Sequence, residues 1–229
     1  MKVLIACEES QAVCKAFREQ GHEAYSCDIQ EPSGGHPEWH ILGDALQATD
    51  CSTVVTMDGK IHNIGKWELL IAHPPCTYLA KSSAVRMRVK GQLQLDRYNK
   101  MLEAKELFMA FWNADCEKIA IENPTPLKIC ELPPYTQAIQ PYQFGHPYSK
   151  RTCLWLKNVP PLVPTQIIEN YEPYINGGSK DAYGNYRRFT GRNERDQKTR
   201  SKTFPGIAAA MASQWGRTGN LYDNQTCIL

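Results

Sequence analysis

The sequence predicts an α/β fold of the Rossmann-like kind with a mainly parallel sheet. Two observations predict it: short apolar runs alternate with helical patterns through the first half of the chain, and a polar or reactive residue follows most of these runs. Strands separated by helices usually run parallel, and ligands bind at the carboxyl ends of such strands. The residues directly after each run are therefore the first candidates for a functional site.

The first elements follow in order from the amino terminus. Residues 3–6 form an apolar strand, and Ser10 is the expected N-cap of a helix that ends near Gly21. Residues 24–27 and 67–72 predict two further strands. These assignments place Glu8, Asp28, Asp44 and Cys76 beyond strand ends.

A long helix and a less regular second half follow. Apolar residues recur at helical spacing over 95–112, and 118–121 predicts a strand that ends at Glu122. The segment "RTCLWL" predicts another strand, whereas residues 176–202 read as a loop rich in Gly, Asn, Arg and Lys. A short Ala-rich helix begins at Pro205.

Length and composition indicate one globular domain. The chain has 229 residues, of which 42% are hydrophobic and 22% charged, as in an ordinary soluble protein. We expect a single domain over residues 1–216, a small, loop-rich basic recognition region within it at 157–203, and a tail at 217–229.

Cysteine usage and the amino terminus favour a cytoplasmic protein. The first apolar stretch is too short for a signal peptide, and no transmembrane run is visible. The nine cysteines include no CxxC pair, so we expect reduced thiols and no zinc or other metal site. A net charge of +2 does not by itself indicate nucleic-acid binding.

Two short motifs carry the predicted chemistry, "PPC" at 74–76 and "IENP" at 121–124. Consecutive prolines fix two φ angles and so hold Cys76 on a stiff bend. A thiolate attacks electron-poor carbons, and a nearby carboxyl group can protonate the ring nitrogen that takes up the charge. Attack of Cys76 on C6 of cytosine, with Glu122 at N3, would make C5 able to accept a methyl group.

These motifs resemble those of the S-adenosylmethionine-dependent cytosine-C5 DNA methyltransferases, in particular the short, phage-type members with a reduced target recognition region. The resemblance continues through "FGHPYSKRTCLWL" and "TFPGIAAAMASQWG", in family order. It implies a Rossmann-like methyltransferase fold with Cys76 as nucleophile, Glu122 as the N3 acid and Asn123 as an orienter of the loop. It also implies a substrate-facing cation, either Arg151 as a catalytic clamp or its neighbour Lys150.

The same resemblance implies S-adenosylmethionine as the cofactor. Its expected binding residues are Glu8, Asp28, Ile29, Asp44, Ala45 and Pro74. Asp28 would bind the ribose and Asp44 the adenine amino group. The family's first motif is glycine-rich, whereas "ACEESQ" contains no glycine. We therefore expect Glu8 or Glu9 to meet the methionine ammonium group.

Substrate contacts are expected at Pro75 and in a basic stretch at residues 186–202 that includes Arg187 and Arg188. Interleaved Tyr and Phe residues in this stretch favour phosphate contact combined with base stacking. A cytosine in DNA must be flipped out or single-stranded, since C6 cannot be reached inside the stack. A protonated Glu122 favours cytosine over uracil, because uracil already carries a hydrogen on N3.

Three other interpretations remain open. The same chemistry could act on a free pyrimidine nucleotide such as dCMP, or the fold could be a non-catalytic nucleic-acid-binding module. "HPPC" also imitates the spacing of the amino-methyltransferase motif Asp/Asn-Pro-Pro-Tyr. That motif needs a side-chain carbonyl at its first position and an aromatic ring at its last, and His73 and Cys76 provide neither.

Overall fold

A seven-stranded sheet forms the centre of the molecule in the computed structural model, which describes residues 1–174 and 201–216. In chain order its strands are β1 Lys2–Ala6, β2 Glu23–Asp28, β3 His40–Leu42, β4 Leu69–Ala72, β5 Lys118–Pro124, β6 Gln137–Ile139 and β7 Thr152–Lys157. Strands β1 to β5 pair in parallel, and β7 runs antiparallel to both β5 and β6. The predicted α/β fold with a mainly parallel sheet is confirmed.

The order of strands across the sheet is β3-β2-β1-β4-β5-β7-β6. The first five follow the order of a doubly wound Rossmann-like sheet, in which the chain steps outward from β1 to β3 and then returns to place β4 beside β1. In a doubly wound sheet such a reversal is expected to leave a crevice at the carboxyl ends of β1 and β4. The crevice is where ligands of such sheets bind.

Within the described ranges, four α-helices lie on the two faces of the sheet, α1 Ala12–Glu19, α2 Ala45–Asp50, α3 Leu95–Trp112 and α4 Pro205–Trp215. One core cluster joins Ile5 and Ile71 to apolar residues of α1 and α4. A second joins Leu4 and Leu70 to α2 and α3. The central strands are buried on both faces, which is why they read as continuous apolar runs.

The strands predicted at 3–6, 24–27, 67–72 and 118–121, the strand in "RTCLWL" and the helices at 95–112 and 205–215 are confirmed. Strands β3 and β6 were not predicted, nor was the hairpin of Thr53–Val55 with Ile61–Asn63. Each of these three-residue strands has too few residues for a periodic pattern. No helix of the described residues is long and apolar enough to cross a membrane.

The prediction that Ser10 caps α1 is wrong. The N-cap is Gln11, whose backbone is left-handed with φ 57° and whose side chain makes no capping bond. The capping acceptor comes from Glu8 instead, whose two carboxylate oxygens accept from Val13 N at 2.7 Å and Cys14 N at 3.1 Å. An acidic side chain at this end of a helix also complements the helix dipole.

The chain segments on either side of residues 175–200 are in contact. Tyr148–Ser149 pairs with Glu172–Pro173 in a short two-stranded sheet. The ring of Tyr174 lies 4.8 Å from the ring of Phe204, centroid to centroid, and 5.2 Å from that of Tyr148. The predicted loop at 176–202 lies almost wholly outside the described residues, and the predicted tail at 217–229 lies outside them entirely.

Candidate active site

The register of the parallel strands forms a row of four residues at the carboxyl edge of the sheet. Ala6 pairs with Cys27 and with Ala72, and Ala72 pairs with Ile121. The next residues stand side by side in the order Asp28, Cys7, His73, Glu122. Neighbours in register lie within contact distance across parallel strands. The topology therefore places the residues predicted to bind the cofactor and those predicted to react at the same edge of the sheet.

On the cofactor side, Asp28 and Asp44 come together around Cys7. Burial raises the pKa of the Cys7 thiol to about 12, and the nearby charges of Asp28 and Asp44 add to the rise. Asp28 accepts from Gln30 N at 2.9 Å, and Asp44 is the N-cap of α2, accepting from Leu46 N at 2.8 Å. Both carboxylates thus have fixed orientations.

Apolar surface flanks these carboxylates. Ile29, directly after Asp28, is 79% exposed, and Ala45, directly after Asp44, is buried in the first turn of α2. Carboxylates bind hydroxyl and amino groups, and an exposed aliphatic side chain binds a ring face. These residues are chemically suited to a nucleoside-bearing cofactor, whereas the carboxylate of Glu8 is engaged in capping α1.

The turn from β1 to α1 is made without glycine. Cys7 and Gln11 both have left-handed backbones, with φ 59° and 57°. Such a conformation costs a non-glycine residue about 1–2 kcal/mol. The buried Gln11 side chain offsets this cost, since it donates to Ser26 Oγ at 3.2 Å and His36 O at 2.8 Å and accepts from His36 N at 3.0 Å. Two strained residues thus stand where glycines would be expected.

On the reactive side, the bend of Cys76 is tied to β5. Asn123 is buried, and its Nδ2 donates to Pro74 O at 3.1 Å. Leu79 N and Ala80 N both donate to Cys76 O, which closes a helical turn directly after the bend. Pro74 is buried, Pro75 is exposed and Cys76 is partly exposed. The bend is thus held from both sides, with its cysteine accessible.

Glu122 forms a partly buried network with His73 and Thr203, and 12% of its side chain and 14% of the His73 side chain are exposed. Its Oε2 lies 3.1 Å from His73 Nδ1, and Thr203 Oγ1 donates to the same oxygen at 3.3 Å. His73 is the residue directly before the two prolines, and Thr203 comes just before α4. The network therefore joins β4, β5 and the segment that leads into the last helix.

The charges of His73 and Glu122 stabilise each other. Burial by itself would raise the pKa of Glu122, but the hydrogen bond and charge of His73, with Lys150 and Thr203, lower it. Burial would lower the pKa of His73, but the hydrogen bond and charge of Glu122, with the charge of Glu8, raise it. In the ligand-free protein the pairing therefore favours a protonated imidazole beside a charged carboxylate.

Lys150 and Arg151 face different surroundings. Lys150 acts electrostatically on Glu122 and His73, and its Nζ lies 5.8 Å from the centre of the Phe204 ring. Arg151 is exposed and donates from Nη2 to Tyr135 Oη at 3.0 Å. Of the two cations that the sequence proposes, the structure brings Lys150 toward Glu122 and Arg151 to Tyr135.

Sequence reasoning did not predict that His73 and Thr203 contact Glu122. A signal was present for His73, since it and Glu122 both directly follow short apolar runs and so share the row described above. No local pattern indicates Thr203, which is distant in sequence. Arg187 and Arg188 lie outside the described residues. Among residues 1–174 and 201–216, no group of three His, Cys, Asp or Glu side chains could hold a metal ion.

This chain has distant structural likenesses among known proteins. No protein-family model and no curated protein matches this chain. Among solved structures it is similar to an E. coli protein described as a candidate DNA modification methyltransferase encoded within a prophage. The two are 11% identical with a TM-score of 0.40, over 73% of this chain and 52% of the other, so this chain spans about half that protein's length. A likeness this distant bears on neither activity nor substrate.

Proposed function

We propose that this chain is an S-adenosylmethionine-dependent methyltransferase that methylates C5 of cytosine in DNA through a covalent adduct of Cys76 at C6. One observation carries the proposal: the Asn123 to Pro74 hydrogen bond joins the bend that presents Cys76 to the strand end that presents Glu122. A nucleophile and an acid on two neighbouring strands are thereby fixed relative to each other. This is the arrangement that conjugate addition to a pyrimidine needs.

Cys76 and Glu122 would divide the reaction between them. The Cys76 thiolate bonds to C6, the electrons of the C5=C6 double bond shift toward N3, and N3 takes a proton from the side of Glu122. C5 is then nucleophilic and gains the methyl group. A water molecule acting as base takes the hydrogen on C5, its electrons re-form the C5=C6 double bond and expel the Cys76 thiolate, and N3 returns its proton to the side of Glu122. The complete cycle leaves the protein as it began.

Asp28, Asp44 and Ile29 would hold the cofactor in the crevice beside β1. When bound, S-adenosylmethionine supplies an electrophilic methyl group to the carbon that Cys76 has activated. Carboxylates at this edge accept from its hydroxyl and amino groups and favour its positive charge. The exposed Ile29 side chain gives apolar contact to a ring.

The substrate would approach from the exposed side of the bend. Pro75 is exposed next to Cys76, and Lys150 adds a positive charge beside Glu122. Arg187 and Arg188 supply phosphate contacts in this proposal. A duplex substrate must deliver its cytosine flipped out, because a thiolate cannot reach C6 within stacked bases.

The experiment is mass spectrometry of the purified protein with S-adenosylmethionine and a substrate bearing 5-fluorocytosine, which cannot complete the elimination. One arm uses an oligonucleotide and the other the deoxycytidine monophosphate analogue. We expect a stable adduct at Cys76 with the oligonucleotide. Cys76→Ser should give none, and Cys51→Ser, which changes an exposed cysteine at the end of α2, should give the wild-type amount.

The other outcomes are equally informative. An adduct with the nucleotide alone would replace DNA by a free pyrimidine nucleotide as the substrate. No adduct in either arm, with folded protein, would overturn the proposal and favour a non-catalytic nucleic-acid-binding module.

A further inference from the structure

We infer that His73 is a positioning residue for Glu122 and that it makes the site selective for cytosine over uracil, by storing the proton that N3 of cytosine must receive. The inference deepens the proposed function and rests on it. It assigns a task to the histidine of "HPPC" that the nucleophile and the acid leave unexplained.

The geometry fixes His73 on Glu122. His73 and Glu122 directly follow Ala72 and Ile121, the last register pair of β4 and β5, and His73 Nδ1 lies 3.1 Å from Glu122 Oε2. The other ring nitrogen, Nε2, is buried and has no hydrogen-bond partner within the described part of the chain. Glu122 therefore orients the imidazole. Within the described residues, Glu122 is the group to which the proton on His73 Nδ1 can pass.

The surrounding charges favour a proton on this pair. Glu8 approaches from the turn between β1 and α1, and Lys150 from the segment that leads into β7. Thr203 is the remaining partner and does not titrate. Glu8 and Glu122 raise the pKa of His73 against burial and Lys150, which lower it, while His73 and Lys150 lower the pKa of Glu122. Glu122 therefore favours the protonated form of His73, and His73 favours the charged form of Glu122.

Base choice follows from where that proton can go. N3 of cytosine is an acceptor, whereas N3 of uracil carries a hydrogen. An isolated Glu122 carboxylate would accept from N3–H of uracil and would repel N3 of cytosine. With His73 protonated, one proton leaves Nδ1, passes through Glu122 and bonds to N3 as Cys76 adds to C6. His73 is left neutral and Glu122 is again a carboxylate, so charge and atoms balance.

The test compares wild type with His73→Gln, which keeps an N–H donor near Glu122 but cannot store a proton. The readout is the rate of adduct formation at Cys76 with substrates bearing 5-fluorocytosine or 5-fluorouracil, between about pH 5 and pH 10. We expect His73→Gln to slow the cytosine adduct about a hundredfold and leave the uracil adduct within about threefold of wild type.

The pH profile should change as well. In wild type the cytosine rate falls as the pH rises through the raised pKa of His73. In His73→Gln the proton must sit on Glu122, so the fall should begin at lower pH. Thr203→Val removes one neutral hydrogen bond from the same oxygen and no titrating group, so its pH profile should move less than that of His73→Gln. Equal losses for both bases, or a pH shift in Thr203→Val as large as that in His73→Gln, would overturn the inference.

A substrate-free measurement keeps the inference testable if His73→Gln fails to fold. NMR of the imidazole nitrogens should show His73 protonated to higher pH than a free imidazole, and Glu122→Gln should lower that titration. A His73 that is neutral at neutral pH in wild type would overturn the inference while leaving adduct formation at Cys76 intact. Absence of any wild-type adduct would instead overturn the proposed function, and the inference with it.

Discussion

The two halves of the carboxyl edge of the sheet hold their carboxylates in different ways. Beside β1 to β3, Glu8, Asp28 and Asp44 accept from backbone amides within six residues of themselves. Beside β4 and β5, Glu122 accepts from two side chains far from it in sequence. Local capping makes the first half a scaffold of the fold. The hydrogen bonds of the second half form only when the tertiary structure brings residues that are distant in sequence together.

This difference separates structural from chemical roles. A carboxylate that caps a helix or turn stabilises the fold whether or not a ligand binds. A buried carboxylate paired with a buried histidine stabilises the protein only over a limited pH range, and it controls the position of a proton. Substitutions in the two halves should therefore change different measurable quantities.

The largest expected effect comes from Cys76→Ser, at the reactive half. Serine is too weak a nucleophile to replace the thiolate, so methyl transfer should fall at least about a thousandfold. Transfer of a labelled methyl group to an oligonucleotide measures it, with Cys51→Ser as the control that keeps wild-type activity. Retained activity in Cys76→Ser would show that Cys76 is not the nucleophile.

The next effect concerns stability and its pH dependence in Glu122→Gln. The lowered pKa of Glu122 contributes stability above its ordinary value of 4.5, and the raised pKa of His73 contributes stability below its ordinary value of 6.5. Between these values both groups favour the folded state, so the pair contributes most there. Glu122→Gln should cost about 3 kcal/mol near pH 6 and less at alkaline pH.

Urea denaturation at several pH values measures this prediction. Glu131→Gln is the matched control. The Glu131 side chain is 82% exposed, and its Oε2 atom lies 4.0 Å from Lys105 Nζ. Such a surface pair contributes at most about 1 kcal/mol. A loss in Glu122→Gln that is independent of pH would contradict the assignment of an ion pair.

How far sequence reasoning reaches differs between fold and site. Strands β1, β2, β4 and β5 were predictable because burial on both faces leaves continuous apolar runs. The short strands β3 and β6 lack such runs. The bend at Cys76 and the position of Glu122 after an apolar run were predictable from the sequence, since prolines fix the bend. The capping role of Glu8 was not predictable, because its carboxylate reaches α1 from a residue that precedes the usual N-cap position.

The choice between Lys150 and Arg151 illustrates the remaining limit. Adjacent residues in an extended chain point to opposite sides, so Lys150 and Arg151 face in different directions. Which of the two faces Glu122 depends on the register between β7 and β5. We expect Lys150→Met to reduce adduct formation about tenfold, and Arg151→Met to reduce it less than threefold. The two variants measured in parallel serve as each other's control, and a reversed order would assign the substrate clamp to Arg151.

The smallest stability effect is expected for Asp44→Asn, in the scaffold half. Asparagine caps helices as well as aspartate, so the free energy of unfolding should change by less than about 0.5 kcal/mol. If Asp44 also binds the cofactor, loss of its charge should weaken S-adenosylmethionine binding severalfold, which calorimetry measures. Unchanged affinity with unchanged stability would restrict Asp44 to its capping role.

The contact between Tyr174 and Phe204 has a consequence for how this protein can diversify. Tyr174 and Phe204, which flank residues 175–200, are in ring contact. Closing a connection between two such anchors costs only about 0.6 kcal/mol more for each doubling of its length. We therefore expect a change in the length of this connection to cost the fold little free energy. If the segment contacts the target, as proposed, target preference can change by exchange of the segment while Cys76 and Glu122 stay constant.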